Sequence, residues 1–331
     1  MASRRTNVAL LAALLAAFAT GAGSFAVGAR WNLWVVAAHA IAAFVIVLLA
    51  PWKSVIARRG LAKKRPDTGI SLALSVLTLV ALISGIAHSW GLWPVTTPVT
   101  AMQVHVAVAV TGLPVAFWHV MKRPARIRHT DFGRRGLLRM GIFLGAAAAL
   151  YTGSQSVVRA AALPGARRRF TGSFERGSFT PEKMPVTQWL DDPVPQIDAA
   201  RWVLTAGSRR WSYEELRRYR RTLRATIDCT GGWYAQQDWE GVPLSRLLPD
   251  ASRARSIYVV SVTGYGRRFP ASEAPRLLLA TGVGGRPLEA GHGFPARLVA
   301  PGRRGFWWVK WVSRIETSAR PWWLQLPFPP T

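Results

Sequence analysis

Residues 224–248 read RATIDCTGGWYAQQDWEGVPLSRLL, and they hold Cys229, the only cysteine in 331 residues. One cysteine cannot form an intramolecular disulfide, so the stapling usual in secreted domains is absent. A lone cysteine has three readings: a small buried hydrophobe, a nucleophile or a metal thiolate. RATID reads as a strand that delivers Cys229 to its end. Gly231 and Gly232 follow at once, and a thiol at the mouth of a strand beside a flexible turn can meet a bulky metal complex.

Around this stretch the pattern is that of a strand-rich α+β domain. RWVLTAG (201–207), SIYVVSV (256–262), ARLVAP (296–301) and WWVKWVSRIET (307–317) read as strands. In SYEEL, Ser212 and Glu215 form a capping box that opens a short helix. VPLSRLL (242–248) and SEAPRLLLA (272–280) read as short helices, and GVGGRPL (282–288) as a turn. No βαβ rhythm appears and no GxGxxG follows a strand. The segment 159–200, rich in Pro, Gly and Arg, reads as a linker and the start of this domain.

Two blocks, CTGGWYAQQDWEGVPLSRLL (229–248) and GHGFPARLVAPGRRGFWWVKWVSRIE (291–316), resemble the molybdopterin-binding domain of the sulfite oxidase family. That family includes bacterial periplasmic methionine sulfoxide reductase catalytic subunits. The resemblance covers roughly residues 170–331. It implies a molybdenum–molybdopterin cofactor with Cys229 as the catalytic thiolate ligand. It also implies that His292, Arg297 and Lys310 hold the pterin and its phosphate, that Trp308 and Val309 offer backbone contacts, and that Thr263 is a further contact. Arginine suits bidentate phosphate binding and lysine a point charge. Sulfite-oxidising members carry an arginine soon after the cysteine; this chain has Gly-Gly-Trp-Tyr there, which puts sulfite in doubt. Arg267 and Arg268 could supply charge from another loop.

The N-terminal half is of another kind. Residues 1–140 carry 16 Lys and Arg against two acids, Asp67 and Asp131, within a chain of net charge +27. Those charges sit between long apolar runs, so the excess marks membrane topology and not a nucleic-acid surface. Crossing the hydrocarbon takes about 20 apolar residues. Five spans are predicted, near 7–29, 32–52, 69–90, 100–121 and 137–158, within a helical module over 1–158. The third and fourth are separated by the turn GLWPVTTPV (91–99).

Basic residues gather at 4–5, 53–67 and 122–135, while the alternate loops hold Arg30 and almost no other charge. The positive-inside rule puts the basic ends in the cytoplasm, and five spans then put the C-terminal domain on the outer side of the cell membrane. Arg134–Arg135, followed by an apolar stretch, looks like a twin-arginine export signal inside the chain.

Four of six histidines, His39, His88, His105 and His119, lie in or at the ends of these spans. Ionisable groups in a bilayer are costly and commonly functional. His39 and His105 fall at similar depth on separate helices and could clamp one haem b iron from both faces. His88, near the same surface, is a reserve ligand, and His119 has no obvious partner within the membrane.

The whole therefore reads as a transmembrane α-helical bundle followed by a sulfite oxidase-type molybdopterin-binding domain. The expected activity is oxygen-atom transfer on a small-molecule substrate. Electrons pass through the haem to a quinone or another electron-transfer partner. The expected surroundings are membrane lipid, with no nucleic acid. Two alternatives are a molybdoenzyme on a haem-free anchor and a pterin-fold binding protein without catalysis; retention of Cys229 argues against the second.

Overall fold

The structure is a computed structural model that describes residues 3–62, 68–94, 97, 99–125, 127–188 and 193–326. The chain divides into two compact units, Met1–Phe25 with Arg30–Phe174, and Ala26–Ala29 with Glu175–Thr331.

The first unit is built on five helices: α1 (Ser3–Ala26), α2 (Asn32–Ala62), α3 (Thr68–Trp90), α4 (Ala101–Lys122) and α5 (Arg134–Ala160). Each is long and apolar enough to cross a membrane. Their exposed residues include Trp34, Leu72, Ile83, Phe117 and Ile142, side chains that water would not favour. Small residues take many of the buried positions, among them Ala13, Ala42, Ser84, Ala101 and Ala147, and let the backbones approach, while Ile46, Leu49 and Val158 fill others.

α3 packs on α4, and α2 on α5. At one end of the bundle Arg4 makes a two-pronged bond to Asp131, at 2.7 and 2.5 Å, and Lys53 donates to Asn7 Oδ1 at 3.1 Å. The Arg4 guanidinium, helped by the Arg128 N–H, holds the Asp131 carboxyl far below the usual range. At the other end Asn32 donates to Ser24 O at 3.0 Å and Trp90 Nε1 to Ser154 Oγ at 3.0 Å. Successive helices thus run up and down.

Several boundaries differ from the sequence expectation, and α1 ends at Ala26, short of 29. α2 does not stop at 52 but continues through Pro51 to Ala62, because a proline removes one intrahelical bond without ending a long helix. α1 starts at Ser3, ahead of 7, and α5 starts at Arg134, ahead of 137, so the arginine pair forms the first turn of that helix. A capping box of Thr100 and Gln103 fixes the start of α4. Residues 63–67 of the second basic loop, 126 of the third, and 95, 96 and 98 of the turn lie outside the described residues, as do 189–192 of the linker and 327–331.

The second unit holds two sheets. A two-residue strand, β1 (Phe174–Glu175), stands at the division between units. Then come β2 (Val203–Ala206), β3 (Arg209–Ser212), helix α6 (Tyr213–Arg217), β4 (Arg221–Asp228), β5 (Trp233–Pro243) and helix α7 (Leu244–Leu247). β6 (Ser256–Ser261), β7 (Gly266–Pro270), β8 (Leu278–Val283), β9 (Arg286–Pro287), β10 (Arg297–Val299) and β11 (Val312–Ser318) complete it. One sheet runs β4-β5-β8-β10 with β9 beside β8, all antiparallel. The other runs β3-β2-β11-β6-β7, and only its β2–β11 pair is parallel.

The expected Ser212–Glu215 box opens α6. Two expectations fail. SEAPRLLLA is not a helix: a 3₁₀ turn spans Ala271–Glu273, and the leucines enter β8, every residue of which is buried. A short apolar run cannot be told from a buried helix by periodicity. WWVKWVSRIET is a strand only from Val312; before it, a 3₁₀ turn at Gly305–Trp307 points the tryptophans into the core. The longest strand, β5, was not anticipated, although its burial alternates through Trp233, Ala235, Gln237 and Trp239.

Candidate active site

β4 pairs with β5 so that Asp228 faces Tyr234, and the turn between them carries Cys229. The Cys229 N–H donates to Trp233 O at 2.8 Å and the Gly232 N–H to Cys229 O at 3.2 Å. The Gly231 N–H aims at the sulfur itself at 3.3 Å. Burial pushes the Cys229 thiol up, while that N–H, Arg304, Thr187 and Lys310 pull it down. The sulfur is therefore a thiol in the bare protein, held among groups that would stabilise a thiolate once a metal displaces its proton.

Cys229 lines a cleft of about 670 Å³, part of it open solvent. His292, Arg297, Trp308, Lys310 and Thr263 line the same cleft. Six of the seven residues expected to hold the cofactor are thus brought together from four separate segments, whereas Arg267 and Arg268 do not line the cleft. Val309 is not among the six: it is buried, its N–H donates to Trp307 O, and its carbonyl accepts from Leu298 N–H at 2.7 Å. The backbone of Trp308 is also engaged, its N–H with Gly305 O and its carbonyl with Arg297 Nη2 at 3.4 Å. These bonds anchor the loop from within.

The cations are held firmly. Arg297 begins β10, is 1% exposed, donates to His292 O at 3.0 Å and lies over the Trp239 ring. Its Nε has no bonding partner among the described residues. Gly293, at φ +105°, sits where a Cβ would lie 2.9 Å from Arg297 Cβ and 3.2 Å from Lys310 Cβ, so its lack of a side chain lets the two cations approach. Lys310 Nζ donates to Gly291 O, Thr187 O and Gln188 Oε1 at 2.6, 2.9 and 3.0 Å. Burial, with Arg297 beside it, pushes Lys310 down to about 7, against the pull of the Cys229 sulfur. His292 is pushed down to about 4 by burial and then by Arg297 and Lys310. Burial also lowers Arg297, to about 10.

Among the described residues that line the cleft there is no Asp or Glu. The nearest acid to His292 is Glu289, 3.8 Å away and mostly exposed. Buried cations that depress one another call for an anion between them. An anionic cofactor that ends in phosphate and brings a thiophilic metal fits this set: the cations would meet the phosphate and Cys229 the metal.

The comparisons agree with the donor set. Residues 191–323 match the family described as the oxidoreductase molybdopterin binding domain. This part of the chain is a molybdopterin-binding domain. The protein-methionine-sulfoxide reductase catalytic subunit MsrP of Xanthomonas campestris pv. campestris is 33% identical over 110 residues, 27% of this chain and 34% of that protein. Mitochondrial sulfite oxidase of Rattus norvegicus is 39% identical over 61 residues, 17% of this chain and 11% of that protein. The aligned part thus spans about a third or less of these relatives. The sulfane dehydrogenase SoxCD of Paracoccus pantotrophus is 27% identical over 38% of this chain and 40% of that chain, at a TM-score of 0.36.

Sequence reasoning missed several parts of the molybdopterin-binding domain's site. Thr187 and Gln188 reach Lys310 from the linker, more than 120 residues away, with no local signal. Asp228 and Arg304 form a buried ion pair behind the cysteine. The signal there was a charged residue directly before Cys229.

In the helical unit the His39 and His105 rings meet edge to face, with centroids 5.7 Å apart. His39 Nδ1 lies 2.8 Å from Ala17 O, and His105 Nδ1 2.8 Å from Ala81 O. His88 lies elsewhere: its Nε2 contacts Gly172 O at 3.0 Å and its ring meets Phe174. His119 does find a neighbour, Ser71 Oγ at 3.3 Å.

Proposed function

We propose that the chain is a membrane-anchored molybdenum-cofactor oxidoreductase that transfers an oxygen atom to or from a small-molecule substrate. In this reading the molybdopterin-binding domain faces the outer side of the cytoplasmic membrane. Electrons pass by way of His39 and His105 to a quinone or another carrier. The observation that carries the proposal is the single thiol of Cys229 sharing a cleft with two buried cations, Arg297 and Lys310, and the buried imidazole of His292.

When bound, the molybdenum centre supplies two-electron oxygen-atom exchange and a haem supplies one-electron steps. The protein's own part is binding and orientation. Cys229 gives the metal its protein sulfur. Arg297, fixed by His292 O and the Trp239 ring, offers its remaining N–H groups to phosphate. Lys310 has a pKa of about 7 in the bare protein. It would hold its proton beside a phosphate dianion and exchange it readily otherwise. Trp233 and Trp308 wall the cleft and limit water.

The histidine pair suits an iron. A carbonyl can only accept, so the Nδ1 atoms facing Ala17 and Ala81 carry the protons and the Nε2 lone pairs remain for a metal. The two rings lie edge to face, with centroids 5.7 Å apart, so both Nε2 atoms could hold one haem iron, which would supply one-electron steps. The basic ends of the helices support the orientation.

Molybdenum, pterin and haem content of the full chain, purified in detergent from a host that makes the cofactor, tests the reading. One molybdenum and one pterin per chain are expected. Protein that is free of both sinks the proposal, and absence of haem alone removes only the electron route.

A further inference from the structure

The most heavily built feature near Cys229 lies outside the cleft. Asp228 and Arg304 are each 3% exposed, in a domain whose other charged groups mostly face water. Arg304 Nη1 donates to Asp228 Oδ1 at 2.5 Å. Its Nη2 donates to the carbonyl of Cys229 at 3.2 Å. A parallel bridge joins the backbones of Asp228 and Arg304. The next residue, Gly305, sits so close that a Cβ would lie 3.2 Å from Cys229 Cα. Arg304 itself does not line the cleft, whereas Gly305 does.

We propose that Arg304 is a positioning residue for the sulfur of Cys229. One prong locks the last residue of β4 and the other locks the cysteine carbonyl, so that the turn 229–232 presents its sulfur at a fixed place. Taking two charges out of water is expensive, and a buried pair adds little net stability compared with an apolar pair of like size. Geometry is the better reason for keeping it. A guanidinium is the side chain that can hold two acceptors in a fixed fork. Partners beyond a ligand orient it and set the electronics of a metal. The proposal rests on the reading of Cys229 as a molybdenum ligand.

The test uses the full chain in detergent with three variants: Arg304→Lys, the double replacement Asp228→Asn with Arg304→Gln, and, as a control at a neighbouring pair, Glu273→Gln with Arg303→Gln. The double replacement leaves no buried charge unpaired, and Arg304→Lys keeps the cation, so at least one is expected to fold. Two readouts are taken. Hydrogen exchange on cofactor-free protein follows the amides of Cys229, Gly231 and Gly232, with the β8 segment as internal reference. The Mo(V) EPR spectrum of the loaded protein follows the ligand sulfur.

The expected result is exchange at 229–232 at least about tenfold faster in both Arg304 variants, because the turn opens locally once its two anchors are gone. β8 and the control stay unchanged, and the EPR spectrum shifts although molybdenum is retained. Exchange and EPR within twofold of wild type in either folded variant overturn the proposal. So does loosening of β8 to the same extent, which would make the pair a general brace. A wild-type chain that binds no molybdenum fails the ligand reading instead, and the exchange result then stands alone as a statement about the turn.

Discussion

At the scale of single residues, the site combines one sulfur with two buried cations, Arg297 and Lys310, whose burial makes them costly in the absence of an anion, and with the imidazole of His292, which burial keeps neutral. On the proposed reading, Cys229→Ser should fold and keep its pterin, because Arg297 and Lys310 would hold the far end of the cofactor. It should lose about 10²-fold or more in turnover, since the soft sulfur ligand is gone. Pterin fluorescence and steady-state rates on the same preparation check this. His292 gives a pH signature. Its pKa of about 4 in the fold lies below the unfolded value of about 6.5. The unfolded chain therefore binds more protons between those values, and stability rises with pH across that window. The contribution is present above pH 6.5 and lost as pH falls through 4, and it amounts to roughly 3 kcal/mol at 1.4 kcal/mol per unit. Unfolding midpoints of the cofactor-free protein from pH 4 to 7 should show the slope, and His292→Gln should flatten it.

At the scale of elements, β5 is the strand on which the cleft stands. Its Trp239 is fully buried, meets Trp308 edge to face at 5.5 Å, and underlies Arg297. Trp239→Ala should cost about 3–5 kcal/mol through the cavity it leaves. It should also weaken pterin retention, because Arg297 loses the ring beneath it; chemical unfolding and pterin content measure the two effects separately. At the other end of the chain, Arg134 and Arg135 form the first turn of α5. If they act as an export signal, Lys-Lys replacement should leave the first four helices inserted and keep the last domain in the cytoplasm. Charge is conserved, so topology by basic residues alone predicts no change. Protease access to the C-terminus in spheroplasts decides between them.

At the scale of the molecule, a helical unit and a cofactor domain share one chain, and the use of that fusion depends on whether the helices carry electrons. The His39–His105 pair is the feature that bears on it. A redox difference spectrum of the full chain should show sharp low-spin bands. His39→Ala and His105→Ala should each abolish them, since one axial ligand does not sustain that state. His119→Ala and His88→Ala should leave them, because those rings engage Ser71 and the Gly172–Phe174 segment instead. Loss of the bands in either of these last two variants would move the haem to another pair.

The division of the chain was legible from charge and apolar run length, since lipid demands some 20 apolar residues and leaves no room for other patterns. The fold of the last domain was legible from Cys229 and the two blocks around it, and six of the seven residues expected to hold the cofactor do meet. Depth along ideal helices was enough to pair His39 with His105, because α-helical rise is fixed. Other features needed the tertiary structure. The leucines of β8 and the tryptophans before β11 take their conformation from the core they fill, and a short apolar run carries no period to read. Val309 turned inward because its backbone is bonded within the loop. Thr187 and Gln188 reach the site across more than 120 residues. The Asp228–Arg304 pair, 76 residues apart, likewise exists only once the chain has closed around Cys229. Sequence shows which groups are present and the local geometry of helix and turn, whereas long-range packing decides which of those groups share one dielectric and one cleft.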